Sequence, residues 1–264
     1  MPILNKQDKE EVKKYEEYIK NYDGASLMQS LNWAKVKNNW IQEAVFLEEG
    51  GIIIAAITLL LEKIPYTNYY FMYAPRGPVC NIYDIELVKR LIKEVELLRE
   101  KYKIFLFKFD PNVEYNEKLE IMYKEAGFNV LNKNMDKDEL IQPLHDMVLD
   151  ISNISKEDLL KSFSEKTRYN IRLSKRKGVE VYYSRKKEDL KIFYDLYKIT
   201  TIRDNIGCRA YEYFEKMLDS YDEENLRIYI TKHENDYLSA AIAFNYGKEL
   251  FYLYGASSNE KRNL

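Results

Sequence analysis

Apolar and polar positions along this chain follow two rhythms, one of period 3.6 and one of period 2, and the switches between them outline its elements. Glu10–Asn21 carries Val12, Tyr15, Tyr18 and Ile19 at helical spacing, and Asp23-Gly24 stops it. Ser30–Asn38 reads as a second, short helix, with Trp33 and Val36 apolar and Lys35 and Lys37 polar. Glu43–Glu48, Ile52–Glu62 and Asn68–Tyr73 then read as three strands of a meander, joined by Glu49-Gly50-Gly51 and Pro65-Tyr66-Thr67-Asn68. Pro75-Arg76-Gly77-Pro78 closes the meander as a loop. Tyr83–Tyr102 is a long amphipathic helix, Lys103–Phe109 a strand that delivers Asp110-Pro111 at its end, Asn116–Ala126 a helix and Phe128–Leu131 a strand. The polar run Asn132–Glu139 reads as a linker, and His145–Leu149 as a strand leading into a basic helix over residues 161–177. Gly178 ends that helix and Val179–Tyr183 follows as a strand. The remainder reads as helices at Asp189–Asn205 and Tyr211–Leu218, then strands at Leu226–Thr231, Tyr237–Tyr246 and Leu250–Tyr254.

The second half repeats the first. Ile53-Ile54-Ala55-Ala56-Ile57 lines up with Leu238-Ser239-Ala240-Ala241-Ile242, and Tyr70-Phe71-Met72-Tyr73 with Phe251-Tyr252-Leu253-Tyr254. The Ala pair in the middle of each central strand implies that a helix or a ligand comes close on that face. Two α/β (α+β) domains of one design follow, residues 1–144 and 145–264, each a mostly antiparallel sheet with helices. After its third strand the first copy continues with a helix, a strand and another helix. The second copy has only Gly255–Leu264 at that point, so it is expected to be incomplete at its C-terminal side.

At 264 residues, 46% hydrophobic and 32% charged, the composition is that of a soluble globular protein. Cys80 and Cys208 stand far apart without a CxxC pattern, so neither a zinc site nor a disulfide framework is implied. The start lacks the apolar core of a signal peptide, and the longest apolar run, Gly51–Leu61, is too short to span a bilayer, so a cytoplasmic location is expected. Net charge is only −2, yet Lys161, Lys166, Arg168, Arg172, Lys175, Arg176 and Lys177 crowd one stretch with Glu165 as its lone acid. Such a local basic helix suits phosphate or RNA, with a solvated helix face as the plain alternative.

No GxGxxG, GxxxxGK[ST] or HExxH is present, which disfavours Rossmann, P-loop and zincin chemistry. His145 and His233 have no cysteine or carboxylate cluster beside them, so no metal or histidine triad is expected. Asp110 sits where a strand ends; it could orient or deprotonate an amine, or serve as a turn Asp before Pro111. Lys37 could pair with a phosphate or be an ordinary surface lysine. Arg209, near the start of a helix, could clamp a phosphate, or form an ion pair within the helix or with Asp204. Tyr213 and Tyr254 could stack on a base, hydrogen-bond a ligand, or simply fill the core.

Taken in order, several segments resemble the FemABX family, the aminoacyl-tRNA-dependent peptidyltransferases of peptidoglycan cross-bridge synthesis. They are Gln29-Ser30-Leu31-Asn32-Trp33-Ala34-Lys35-Val36-Lys37, Tyr73-Ala74-Pro75-Arg76-Gly77-Pro78, Phe107-Lys108-Phe109-Asp110-Pro111, Lys166-Thr167-Arg168-Tyr169-Asn170-Ile171-Arg172, Arg203-Asp204 through Arg209 to Glu212-Tyr213-Phe214, and Tyr252-Leu253-Tyr254-Gly255-Ala256. No long charged heptad insertion interrupts the second half, which resembles the compact, FemX-like branch acting on UDP-MurNAc-pentapeptide. The resemblance implies two tandem GNAT-like domains, the first binding the acceptor. It implies transfer of an amino acid from aminoacyl-tRNA to the side-chain amine at position 3 of the stem peptide, carried by UDP-MurNAc or by lipid II, with no cofactor and a monomeric enzyme. Lys37 and Arg209 would contact the sugar diphosphate, with Tyr213 and Tyr254 lining the same cleft. Asp110, the catalytic candidate, would lie near the acceptor amine, and Arg168, Arg172, Lys175 and Arg176 would face tRNA phosphates. Phe105 stands where close relatives are expected to carry Tyr, and the family's catalytic lysine would fall beyond residue 264. A GNAT-type small-molecule N-acyltransferase shares the expected fold, although its pyrophosphate loop is absent here. An RNA-binding module without catalysis would use the basic helix without the Lys37 and Arg209 pair.

Overall fold

The computed structural model describes residues 2–37, 39–131 and 141–263. Its first helix, α1 (Lys9–Asn21), starts where Asp8 accepts the N–H groups of Glu10 and Glu11. The short helix α2 (Leu31–Val36) follows, then strands β1 (Ile41–Glu49), β2 (Ile52–Lys63) and β3 (Tyr70–Arg76). Helix α3 (Ile85–Val95) is capped by Asp84 and continues as a 3-10 turn to Glu100, so the long helix expected over Tyr83–Tyr102 is present in shortened form. Strand β4 (Ile104–Pro111) and helix α4 (Glu117–Glu125) complete this half. The second half runs α5 (Lys156–Ser162), α6 (Glu165–Arg176), β5 (Glu180–Ser184), α7 (Lys187–Asp204), α8 (Tyr211–Ser220), β6 (Leu226–His233), β7 (Asp236–Tyr246) and β8 (Glu249–Ser257).

The strands form two four-stranded sheets, β1-β2-β3-β4 and β5-β6-β7-β8, in a mixed α/β fold. By contact density the chain divides into two units, Met1–Gln142 with Asn245–Leu250, and Pro143–Phe244 with Phe251–Leu264.

In the first sheet β1, β2 and β3 are antiparallel neighbours, and β4 joins β3 in parallel. One face carries the core, in which Val45, Ile57, Leu59, Leu61 and Met72 meet Val88, Leu91 and Leu98 of α3 and its extension. Each such large side chain, fully buried, contributes roughly 1.5–3 kcal/mol. The opposite face is covered by α1, whose buried Tyr15 meets Phe46 edge-on at 6.3 Å and hydrogen-bonds Thr58 Oγ1 at 2.7 Å.

Strands β2 and β3 pair only from Leu60/Tyr73 to Lys63/Tyr70. Past that point a buried side-chain amide takes the place of the ladder. Gln29 Nε2 donates to the carbonyls of Thr58 (3.2 Å) and Pro75 (2.8 Å), while Gln29 Oε1 accepts the Thr58 N–H (2.8 Å). The Thr58 hydroxyl donates to the main-chain carbonyl of Gln29 (2.5 Å). Gly77 lies against this amide so closely that a Cβ would come within 2.6 Å of Gln29 Oε1.

The repeat extends to a shared irregularity. Ile54 of β2 is skipped in the pairing with β1, and Leu238 of β7 is skipped in the pairing with β6. The carbonyl of Ile54 accepts the Tyr18 hydroxyl at 3.0 Å, and that of Leu238 accepts the Ser258 N–H at 2.8 Å. The Ala pair beside the bulge is fully buried in β2, with Ala55 in the core that α3 covers; in β7 Ala240 is buried and Ala241 half-buried.

In the second sheet α7 and α8 supply Phe193, Leu196, Tyr197, Phe214 and Met217 over Leu226, Ile228, Ile230, Ile242 and Phe244. Arg185 closes the C-terminal end of α8. Its guanidinium donates to the carbonyls of Leu218 (2.7 Å), Tyr221 (2.5 Å), Asp222 (2.8 Å) and Leu226 (3.0 Å). β8 is an edge strand: no described residue pairs with its far side.

Four expectations are corrected. Phe128–Leu131 forms no strand; Phe128 and Val130 pack against the core without a ladder partner. His145–Leu149 forms no strand either, and Met147 and Val148 are exposed. Its apolar run Met147-Val148-Leu149 is real, but no described strand takes its hydrogen bonds. The basic helix is two helices, because Phe163 is extended and Ser164 turns its hydroxyl onto the Thr167 N–H to start α6. Pro75-Arg76, expected in a loop, prolongs β3, while the linker expected over Asn132–Glu139 lies outside the described residues.

Replacing Gln29 by Leu leaves the Thr58 N–H and the Pro75 carbonyl without this partner, so urea unfolding should show a loss of about 2–4 kcal/mol. Gly77→Ala should destabilise through the same amide, and an unchanged urea midpoint in both variants would contradict its role.

Candidate active site

Strands β3 and β4 run in parallel and end together, Pro75 beside Asp110 and Arg76 beside Pro111, and this register assembles the first group of candidate residues. Asp110 Oδ2 accepts the Tyr73 hydroxyl at 2.7 Å and Oδ1 accepts the Arg76 N–H at 2.6 Å. Burial raises the Asp110 pKa above the usual carboxylate range, against the lowering effect of these two hydrogen bonds. Burial likewise pushes the Tyr73 phenol far above its ordinary value, so it stays a donor. Asp110 is thus more than a turn residue before Pro111: it fastens the ends of two strands. Arg76 has a φ of +55°, an uncommon conformation for a residue with a Cβ, and its N–H bond to Asp110 helps to hold it.

From Asp110 an aromatic row leads across the sheet. Tyr73 stacks on Phe71 at 6.2 Å, Phe71 meets Trp40 edge-on at 6.1 Å, and the Trp40 N–H donates to the Lys37 carbonyl at 2.8 Å. Lys37 caps α2, with Nζ 5.9 Å from the Trp33 ring centroid. Lys37 and Asp110 are therefore joined through one continuous set of contacts. Phe105 is exposed and meets Tyr69 edge-on at 6.4 Å.

Beside this row, at the carboxyl ends of β3 and β4, opens a cleft of about 190 Å³ whose lining includes Tyr22, Arg76, Cys80, Asn81, Tyr83 and Asn112. Burial pushes the Cys80 thiol up to about 12, which keeps it protonated and makes it part of the wall.

The second group lies on α8 and β8. The Arg209 guanidinium stacks over the Tyr213 ring at 4.9 Å, and the Tyr254 hydroxyl donates to that of Tyr213 at 3.2 Å. Burial raises the Tyr213 phenol far above its ordinary value. The alternative partner considered for Arg209, Asp204, is instead engaged by Arg203 at 2.9 Å. No side chain caps the first turn of α8, whose N-cap, Ala210, directly follows Arg209 in the chain. The loop before it is held from α7, where Tyr194 donates to the Arg209 carbonyl at 3.2 Å.

On α6 the four basic candidates separate. Arg168 is half-buried and donates to the carbonyls of Lys161 (3.0 Å) and Phe163, tying α5 to α6. Arg172, Lys175 and Arg176 are exposed at helical spacing on α6, with the exposed Tyr169 three residues before Arg172. Among the described residues no group of His, Cys, Asp and Glu is arranged to hold a metal, and no helix is long and apolar enough to cross a membrane.

The FemAB family model matches residues 10–234. The chain belongs to the FemAB family. A relative from Weissella viridescens, a UDP-N-acetylmuramoylpentapeptide-lysine N(6)-alanyltransferase, is 34% identical over 262 residues, which is 97% of this FemAB chain and 77% of the relative. A lipid II:glycine glycyltransferase of Staphylococcus haemolyticus is 30% identical over 230 residues, 83% of this chain and 54% of that enzyme, so the chain spans about half its length. The crystal structure of FemX superposes with a TM-score of 0.87 at 24% identity, covering all of this chain and 82% of FemX. The fold is therefore the tandem GNAT-like fold expected of a FemAB protein.

Tyr73 and Arg76 join this group through contacts that the sequence pattern does not single out. Both stand in a segment that carries the family resemblance, but nothing local in it reveals the parallel register that sets them on Asp110. Because the Asp110 pKa is raised in the fold, the protein binds this proton more tightly folded than unfolded. Wild type should therefore lose stability relative to Asp110→Asn as pH rises from the ordinary carboxylate value through the raised one. Urea midpoints of both proteins across that interval check the sign; parallel profiles would contradict it.

Proposed function

We propose that the chain is an aminoacyltransferase of peptidoglycan cross-bridge synthesis, moving an amino acid from aminoacyl-tRNA to the position-3 side-chain amine of UDP-MurNAc-pentapeptide. The observation that carries this reading is the 34% identity to an alanyltransferase of that acceptor over 97% of the chain. Lipid II is the second acceptor, favoured by the names of the glycyltransferase relatives.

In this reading residues 1–144 hold the acceptor and residues 145–264 form the second GNAT-like domain, in a cytoplasmic monomer that needs no cofactor. Lys37 and Arg209 take the sugar diphosphate. Stacking on Tyr213 preorganises the Arg209 guanidinium just before a helix whose first turn no side chain caps, an arrangement suited to phosphate oxygens. Tyr213 and Tyr254 line the same site. Asp110 orients the acceptor amine or takes its proton, and its raised pKa makes it a better base than an exposed carboxylate. The amine nitrogen bonds to the ester carbonyl carbon, the ester C–O bond breaks, and the tRNA 3′ hydroxyl leaves with a proton. The donor arrives activated, so the protein's work is positioning and stabilising the tetrahedral oxyanion. Arg172, Lys175 and Arg176 face the tRNA backbone, while Arg168 is engaged in holding the α5–α6 corner. A small-molecule N-acyltransferase is less favoured, because the sequence lacks the pyrophosphate loop of that class.

Calorimetric titration of UDP-MurNAc-pentapeptide should detect binding that both Lys37→Ala and Arg209→Ala weaken about tenfold or more. Binding that neither change affects would overturn the diphosphate assignment. Neutralising Arg172, Lys175 and Arg176 together should flatten the log–log salt dependence of tRNA affinity by about two units. An unaltered slope would remove α6 from the donor site.

A further inference from the structure

Two side chains act on the Tyr73 hydroxyl, and together they leave its proton one direction. The oxygen lies 2.7 Å from Asp110 Oδ2, and the Gln142 side chain hydrogen-bonds it as well. Gln142 works to lower the phenol's pKa, as an amide N–H donated to the oxygen does. An ionised carboxylate only accepts, so the single hydroxyl proton points at Asp110. The ring itself is buried and stacked on Phe71 at 6.2 Å, which fixes where that oxygen sits.

Asp110 depends on this bond. It is half-buried, and burial favours its neutral form, whereas a group that holds an amine or takes its proton has to be charged. Few groups oppose that burial. The Tyr73 hydroxyl has the largest effect, followed by the Arg76 N–H at 2.6 Å, the Arg76 charge and the main-chain N–H of Asp110 itself. Of the hydrogen bonds among these, the one from Tyr73 alone comes from a side chain. A carboxylate has about four acceptor positions, so after these three donors it can still accept one N–H from a ligand.

We infer that Tyr73 is a positioning residue for the acceptor amine: its hydroxyl holds Asp110 Oδ2 so that the charged carboxylate meets that amine in one orientation. The inference rests on the assignment of Asp110 to the acceptor amine and adds the group that sets this carboxylate. A primary amine is an ammonium at neutral pH, with a pKa of roughly 10.4, so charged Asp110 attracts it and neutral Asp110 does not. Affinity for the acceptor therefore falls as pH drops through the Asp110 midpoint, and Tyr73 determines where that midpoint lies.

The test is calorimetric titration, from about pH 4 to about pH 8, of UDP-MurNAc-pentapeptide and of the same molecule acetylated on its position-3 side-chain amine. Wild type should lose affinity for the free amine by up to about tenfold per pH unit below the midpoint, and the acetylated ligand should lack this acid limb. Tyr73→Phe should move the midpoint up by about one pH unit. A ring-fluorinated tyrosine at position 73, nearly the same in shape and a stronger donor, should move it down. A merely structural role would not produce shifts of opposite sign. A midpoint that neither change moves overturns the role of Tyr73 and leaves the amine on Asp110. The same acid limb with the acetylated ligand removes the amine from Asp110, and no binding of either ligand removes the acceptor reading; each overturns this inference as well. If Tyr73→Phe does not fold, by circular dichroism, the sign of the shift in the fluorotyrosine protein decides the matter.

Discussion

The amide of Gln29 replaces a stretch of β-ladder, and the architecture of the first half depends on it. Beyond Leu60 and Tyr73 strands β2 and β3 diverge, which leaves Thr58 and Pro75 with main-chain groups that no neighbouring strand can take up. A carboxamide has both a donor and an acceptor on one rigid plane, so a single side chain can answer both strands. Because the site is sealed from water, each group left unanswered would cost about 1–3 kcal/mol. The divergence thereby becomes a fixed feature of the sheet. It frees the end of β3 to turn alongside β4, and from that turn come the Arg76 conformation, the grip on Asp110 and the cleft beside them.

The second half uses its cations in two contrasting ways. Arg185, Arg168 and Arg203 direct guanidinium groups onto main-chain carbonyls, closing α8, the α5–α6 corner and the α7–β8 connection. Carbonyls left over at helix ends are the natural partners of a planar five-donor group, and a lysine could satisfy only part of each set. Arg209, stacked on a tyrosine, and Arg172, Lys175 and Arg176, exposed on α6, are deployed for something other than main-chain capping. The chain is nearly neutral overall, yet this division concentrates positive charge at a few places.

Much of this was legible in the chain itself. Periodicity located α1, α3, α7 and the strands β1, β2, β6 and β7, because each buries one face against its own unit and the pattern records that burial. The paired Ala residues marked the central strands of a repeat, and the repeat proved to include a bulge in each. Gly178, at a φ of +81°, ended α6 as expected. What could not be read depends on partners distant in sequence. Nothing near Gln29 announces that it bridges Thr58 and Pro75, and nothing near Arg168 distinguishes a guanidinium spent on carbonyls from one open to phosphate. The register of β3 on β4, which sets Tyr73 and Arg76 on Asp110, is likewise a property of the assembled sheet. His145–Leu149 shows the converse: a strand pattern is present, but a strand exists only where a neighbour takes its hydrogen bonds.

β8 ends its sheet with an edge on which nothing described is paired, along the nine residues from Glu249 to Ser257. Such an edge carries a row of alternating donors and acceptors at the spacing any extended peptide would match. Leu250 and Tyr252 stand exposed on it, and neither proline nor lysine interrupts it. In a concentrated solution this is where two molecules would first find one another, strand against strand. An edge of this kind is a place where strands of two molecules can pair, and charged residues introduced along β8 would oppose such pairing.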